Sequence, residues 1–230
     1  MSKLLVSDYD GTYKTSGEII KINNEKLSRF MESNEFMLST GRNYQEFFEE
    51  FEKYCLVADY YSLVDGNILF DNKFNILSIE TIPKQIIDSF KKFYPYFESV
   101  EKLDVFGEPT IKDVVEYKII YKDLDAKKKF VKFLLESKIY SYHHNIASPL
   151  VCHLCNPYAN KTNTIYKVSA IGSIKKDNIY TIGNGYNDKN MIEEFNGYAM
   201  STAEQSIIDI AHGTYDSVGT LADDIRRRRV

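Results

Sequence analysis

Two aspartates, Asp8 and Asp10, stand two positions apart in "DYDGT", directly after the apolar run "KLLVS". Carboxylates that close repel each other unless a cation neutralises them. A hard ion such as Mg²⁺ accepts such oxygens and keeps several waters. One carboxylate of such a pair can act as a nucleophile, as aspartate does in aspartyl-phosphate chemistry. The other can carry a proton to a leaving group and back from water. Gly11 would let the backbone turn closely around a phosphate. Farther along, "STGR" at 39–42 offers the Thr40 hydroxyl and the Gly41 N–H to phosphate oxygens. Lys161, in "NKT" at the start of a helical pattern, places a compact charge where a helix N-terminus already favours an anion. Finally "GNGYND" at 183–188 crowds Asn184, Asn187 and Asp188 into a glycine-bracketed turn suited to holding an ion.

These groups need a scaffold that brings them together, and the hydrophobic pattern supplies one. "KLLVSD", "FMLSTGR", "DYYSLV", "NIYTIG" and "GYAM" are short apolar runs, several ending in polar residues and glycine, the mark of buried parallel strands. Helical spacing in "NNEKLSRFMES", "YQEFFEEFEKY", "NKTNTIYKVSAIG", "NDKNMIEEF" and "AEQSIIDIA" alternates with them. That order predicts an α/β fold, a Rossmann-like parallel sheet covered by helices on both faces. Open parallel sheets bind ligands beyond the carboxyl ends of their strands, so the polar clusters should converge on one crevice. Residues 65–81, "DGNILFDNKFNILSIET", read as a hairpin turning near Asp71 and Asn72.

From Pro83 the rhythm changes to helix–strand–strand, repeated twice. The expected elements are "PKQIIDSFKKFYPYF", "VEKLDVF", "VVEYKIIYKD", "DAKKKFVKFLLESK", "IYSYHHN" and "SPLVCHLC", with Asp123 or Asp125 capping the second helix. Residues 82–155 therefore read as an inserted α+β module with an antiparallel sheet, and 1–81 with 156–230 as a discontinuous core.

Composition bounds the partners. With 43% hydrophobic and 27% charged residues among 230, the chain reads as a soluble globular protein. No apolar run approaches the roughly 20 residues of a membrane span, and the N-terminus lacks the pattern of a secretory signal. A net charge of −4 gives no case for nucleic acid, and the basic "RRRRV" end reads as a solvated helix terminus. Cys152 and Cys155 in "VCHLC" offer C-x-x-C around His153, but a structural zinc site wants a second ligand pair. The three cysteines read as buried or half-buried strand thiols of a reducing cytosol, and a cytoplasmic location is expected.

In order and spacing, "DYDGT", "STGR", Lys161 and "GNGYND" resemble the four motifs of the haloacid dehalogenase superfamily. The whole chain resembles the Cof-type phosphatases, whose C2 cap lies between the second and third motifs, and its short cap is similar to the C2B kind. "LVDGNILFD" and "CNPYANKTNTI" resemble the segments leading into and out of that cap. The resemblance implies that Asp8 is the nucleophile and Asp10 the general acid/base, while Thr40 binds the transferring phosphoryl. Lys161 holds that phosphoryl and Asp8, and Gly11, Gly41 and Asn187 serve the substrate. It further implies Mg²⁺ as cofactor, held by Asp8, the Asp10 carbonyl, Asn184 and Asp188, and a small phosphorylated metabolite such as a sugar phosphate as substrate.

One position departs from the pattern, because the fourth motif usually reads G-D-G-x-N-D and Asn184 replaces its first acid. A carboxamide still offers an oxygen but no charge, so weaker Mg²⁺ binding is expected. Two alternatives to the phosphatase stay open: a catalytically impaired protein that binds a phosphorylated ligand, and a phosphomutase using the same nucleophile. In the inserted module Lys112, Lys118 and His143 or His144 are candidates to meet a phosphosugar, and Arg42 is a candidate support for the phosphate site. Sequence leaves the oligomeric state open.

Overall fold

The structure is a computed structural model that describes residues 2–137, 139, 142–144, 148–228 and 230. Its main body alternates strand and helix: β1 (Leu4–Asp8), α1 (Gly17–Phe30), β2 (Glu35–Ser39), α2 (Tyr44–Tyr54) and β3 (Tyr60–Leu63), then the hairpin β4 (Ile68–Asp71) and β5 (Ile76–Ile79). A second set follows: α3 (Lys84–Phe90), β6 (Phe97–Leu103), β7 (Glu116–Tyr121), α4 (Leu124–Glu136), β8 (Tyr142–His144) and β9 (Val151–Cys155). Alternation then resumes with α5 (Lys161–Gly172), β10 (Ile179–Gly183), α6 (Lys189–Glu194), β11 (Asn196–Met200), α7 (Gln205–Ile208), β12 (Thr214–Tyr215) and α8 (Val218–Arg226).

The eight-stranded sheet has the order β12-β11-β10-β1-β2-β3-β4-β5, parallel from β12 to β3 and antiparallel across the β4–β5 hairpin. Successive side chains of a strand point to opposite faces. Thus Leu5, Phe36 and Leu38 pack on one side with Leu27 and Phe30 of α1, Phe47 of α2 and Leu221 of α8. Leu4, Val6 and Met37 pack on the other with Ile165 and Val168 of α5 and Met191 and Ile192 of α6. The α/β class and the two helical layers read from the sequence hold.

Residues between β5 and α5 form the second sheet, antiparallel in the order β6-β7-β9-β8. One face packs on α3 and α4 through Phe90, Tyr117, Ile119, Phe130 and Leu154. The two sheets are tied together beside β4, where Asn156 Nδ2 donates to the Thr81 carbonyl at 3.0 Å and Asn67 Oδ1 accepts from Asn156 N at 3.0 Å.

Local chemistry sets the helix ends. Ser16, Asn43, Asp123, Asn160 and Ser217 each cap a helix with a side-chain oxygen accepting a backbone N–H, so of the two aspartates weighed for α4 it is Asp123 that caps. The helix expected to run on from Pro83 stops at Phe90 and continues as a 3₁₀ segment over Lys91–Tyr96 that contains Pro95, because proline has no N–H for an α-helical bond. The strand expected to reach Phe106 ends at Leu103, where Asp104 Oδ1 accepts from the N–H of Phe106 and Glu108 in a tight turn. The helix expected over 203–211 forms only as the four residues of α7.

Candidate active site

Four elements of the core, β1, β2, α5 and β10, place the four polar clusters. Asp8 ends β1 and is 5% exposed. Lys161 opens α5, 3% exposed, and its Nζ bridges Asp8 Oδ1 at 2.6 Å and Asp188 Oδ1 at 2.7 Å. Asp188 closes the turn after β10: its Oδ2 accepts from the N–H of Asn184 at 3.0 Å and of Gly185 at 3.1 Å. Gly183 lacks a side chain because a Cβ there would come within 2.5 Å of that carboxylate.

The electrostatics follow from this burial. Loss of solvation, with the Asp188 charge beside it, pushes Asp8 up to about 7 against the opposing pull of Lys161. For Lys161 burial alone would lower the pKa, but the charges of Asp188, Asp8 and Asp65 outweigh it and hold the amine protonated. The trio is therefore a buried cation clamped between acids, and Asp8 keeps one oxygen, Oδ2, clear of the lysine.

Asp10 is exposed, and Arg42 grips it with both prongs of its guanidinium, Nε to Oδ2 at 2.7 Å and a terminal nitrogen to Oδ1 at 2.8 Å. This hydrogen bonding raises Arg42 despite its partial burial. Glu50 lies behind the guanidinium, 3.9 Å from it, and takes hydrogen bonds from Tyr9 and Lys14. Arg42, a candidate support of the phosphate site by sequence, thus holds the Asp10 carboxylate itself.

Thr40, 2% exposed, accepts the Arg42 N–H at 3.2 Å, so the loop after β2 curls around its hydroxyl. The sequence reading missed the neighbour that holds this loop. Val64 and Asp65 both have left-handed backbones, with φ of 52° and 50°, and Gly66 follows at 99°. A β-branched residue there is a true outlier, and such strain clusters at functional sites. Two hydrogen bonds fix it, Asp65 N to the Thr40 carbonyl at 3.0 Å and Val64 N to the Arg42 carbonyl at 2.9 Å. The Asp65 carboxylate consequently faces Gly41, where a Cβ would lie 3.1 Å from it, and takes a long 3.4 Å hydrogen bond from Asn187. The only sequence signal was the Asp-Gly pair itself, which marks a turn without giving its handedness.

Asn184 lies across Gly11, whose φ is 80° and whose Cβ would come within 2.3 Å of the amide. Carboxamide oxygen and nitrogen are told apart by their partners. The Asn184 oxygen faces inward and accepts from the Thr12 hydroxyl at 3.1 Å, with the Asp10 carbonyl 3.2 Å and Asp8 Oδ2 3.3 Å from the same position. These oxygens would fit a hard cation that keeps most of its waters. Asp188 is spent on Lys161 and two backbone N–H groups. Among the described residues no group of three or more His, Cys, Asp or Glu could hold a metal ion.

The candidates in the second sheet fall elsewhere. Lys118 pairs with Glu101 at 3.2 Å, Lys112 lies in an exposed loop, and the side chains of His143 and His144 lie outside the described residues. Cys152 packs under α4 and Cys155 against the core cluster, while His153 between them pairs with buried Glu116 at 2.6 Å. Strand alternation puts Cys152 on the face opposite His153 and Cys155. Cys55 differs from the buried strand thiol expected, being exposed at the left-handed end of α2.

A family model for haloacid dehalogenase-like hydrolases matches residues 5–108 and 99–220, and the chain belongs to that family. An uncharacterized protein of Mycoplasma capricolum subsp. capricolum is 25% identical over 234 residues, spanning 85% of this chain and 88% of its own. Among solved structures, a haloacid dehalogenase-like hydrolase from Bacteroides thetaiotaomicron superposes with a TM-score of 0.75 at 17% identity, covering 99% of this chain and 100% of its own. A second protein of that organism, described among phosphatases of the haloalkanoate (HAD) enzyme superfamily, gives a TM-score of 0.70 at 16% identity, covering 99% and 95%. At these identities the structural likeness concerns the fold, including a core with an inserted cap domain.

Proposed function

We propose that the protein is a phosphatase that hydrolyses a small phosphorylated metabolite through an aspartyl-phosphate, with residues 82–155 as the cap over a core of 1–81 and 156–230. The observation that carries this reading is Asp8: a buried carboxylate at a strand's carboxyl end, held through Oδ1 by Lys161 with Oδ2 clear of it. In the first step an Asp8 oxygen attacks phosphorus, the ester P–O bond breaks, and Asp10 gives its proton to the departing alkoxide. In the second, Asp10 takes a proton from water, whose oxygen attacks phosphorus and releases phosphate and the Asp8 carboxylate. Arg42, through its two-pronged hydrogen bond, orients the Asp10 carboxylate for both steps. Thr40, Gly41, Asn187 and Lys161 line the phosphoryl position. Asp8, the Asp10 carbonyl and Asn184 would hold Mg²⁺, which when bound would neutralise charge on the phosphoryl oxygens.

The test is hydrolysis of p-nitrophenyl phosphate against Mg²⁺ concentration for wild type, Asp8→Asn and Asn184→Asp. Wild-type turnover abolished in Asp8→Asn supports the reading. A carboxamide at 184 favours a second one, ligand binding without turnover, and wild type silent at every Mg²⁺ level while Asn184→Asp turns over would decide for it.

A further inference from the structure

We propose that β5 is an interface, at which two copies of the chain join edge to edge, antiparallel, about a two-fold axis. β5 ends the eight-stranded sheet and has only β4 beside it. Of its four residues, Ile76, Leu77 and Ile79 are 42%, 41% and 36% exposed. Nowhere else among the described residues do three large apolar side chains this exposed fall within four positions. Apolar residues scattered singly over a surface are ordinary, but a run of them on a sheet edge is a template for another strand. The backbone is open as well. Glu80 N donates to the Asn67 carbonyl at 2.7 Å, and Ile68 faces Ile79 in the ladder. In an antiparallel pair that makes Ile68 and Ile79 the non-bonded kind, so the N–H and C=O of Ile79 point away from β4.

The other sheet edges are blunted in ways that β5 is not. β12 and β8 are two and three residues long, and β6 exposes Glu98, Glu101 and Lys102. Short or charged edges resist further pairing. By contrast "FNILSI", which contains β5, carries no charge. The charges that bound it point to a second copy as the occupant. Lys73 precedes the segment and Glu80 follows it, so its two ends differ in sign. An antiparallel copy brings each Lys73 toward Glu80 of the other, whereas a parallel one would set like charges side by side. Asp71 is spent on the turn, its Oδ1 accepting from the N–H of Lys73 and of Asn75. Glu80 takes Lys167 through one oxygen, Oε1, at 2.5 Å. The strand is therefore its own complement in backbone, apolar side chains and flanking charge, and pairing would join two eight-stranded sheets into one.

The test is sedimentation velocity of the full chain over about two decades of concentration, for wild type, Leu77→Lys, Ile79→Pro and the control Leu135→Lys. Wild type should pass from monomer to dimer. Leu77→Lys places a charge on the edge and should raise the dimer dissociation constant at least about tenfold. Ile79→Pro deletes an N–H on the open side and none on the β4 side, so it should do the same while the sheet stays intact. Leu135, a comparably exposed leucine on α4, should tolerate lysine without effect. Wild type that stays monomeric throughout overturns the proposal. So does a dimer whose dissociation constant the two β5 variants leave unchanged, since it would use another face. Should a β5 variant not fold, hydrogen exchange in wild type decides. The Ile79 amide should exchange slowly at concentrations where the dimer forms and fast on dilution, and equal rates at both overturn the proposal. None of these readouts involves turnover, so they stand or fall apart from the phosphatase reading.

Discussion

Replacing Lys161 by methionine keeps the length of the side chain and removes the charge that two buried carboxylates share. Asp8 and Asp188 are 5% and 0% exposed, and each lies within 2.7 Å of the ammonium. Breaking a buried pair from one side costs about 3–5 kcal/mol, because the remaining charge has no compensation. At about 2–4 °C per kcal/mol for a chain of this size, the melting point should fall by roughly 6–20 °C near pH 8. The size must depend on pH. Asp8, raised to about 7 even with Lys161 present, holds its proton in the native state after the unfolded chain, at about 3.9, has lost it. A raised acid therefore lowers stability as pH climbs through that window. Without Lys161 the window moves upward, so the deficit should be small near pH 5 and grow through pH 7 to 9. Melts of wild type, Lys161→Met and the control Lys167→Met across this range give the answer. Lys167 pairs with Glu80 at 2.5 Å on the surface, a pair worth about 0–1 kcal/mol. If Lys161→Met melts within about 3 °C of wild type at pH 8, the buried cluster is not the charge-balanced unit described here.

Other expectations concern single contacts. Arg42→Met should leave the melting point within about 3 °C, since the Asp10 pair is solvent-facing, yet lower kcat/KM on an aryl phosphate at least tenfold; Arg42→Lys should not restore it, because an ammonium lacks the two-pronged grip. His153 is buried: desolvation alone would lower its pKa, but the hydrogen bond and charge of Glu116, helped by Glu46, raise it against Lys118. Its stabilisation is then full below the ordinary histidine value of about 6.5 and lost as pH rises through the higher folded value, a slope in urea titrations that Glu116→Gln should flatten. Gly66→Ala would put a methyl 2.4 Å from the Asn160 carbonyl at a φ of 99°, and a loss of about 2 kcal/mol or more is expected by urea unfolding.

The parts legible in the sequence are those where one physical signal dominates. β1, β2 and β10 are buried on both faces, so they read as apolar runs, and the polar residues that end them announce the site. What was illegible depends on contacts made across the fold. The grip of Arg42 on Asp10 joins residues 32 apart through a long side chain whose direction no pattern specifies. The left-handed pair Val64–Asp65 is imposed by hydrogen bonds from the neighbouring loop against local preference. Glu116 and His153 look like ordinary strand polar residues until pairing across β7 and β9 buries them together. α8 was expected only through its end, the basic RRRRV terminus, although its whole length was legible: Ser217 caps it, and Val218, Leu221, Ala222 and Ile225 follow at helical spacing.

The order of strands in the main sheet also has a consequence for how the chain assembles on the ribosome. β1 lies beside β2, its near neighbour in sequence, but its other partner is β10, with Leu4 facing Ile179. At about 5–20 residues per second, roughly 10–35 s separate the synthesis of the two. Throughout that interval β1 presents an edge of unpaired backbone N–H and C=O groups, and the entire second sheet emerges before the edge is covered. Lys161 and Asp188 arrive last, on α5 and the turn after β10, so Asp8 is desolvated only when both are at hand to balance it. The nascent chain thus never has to bury Asp8 alone.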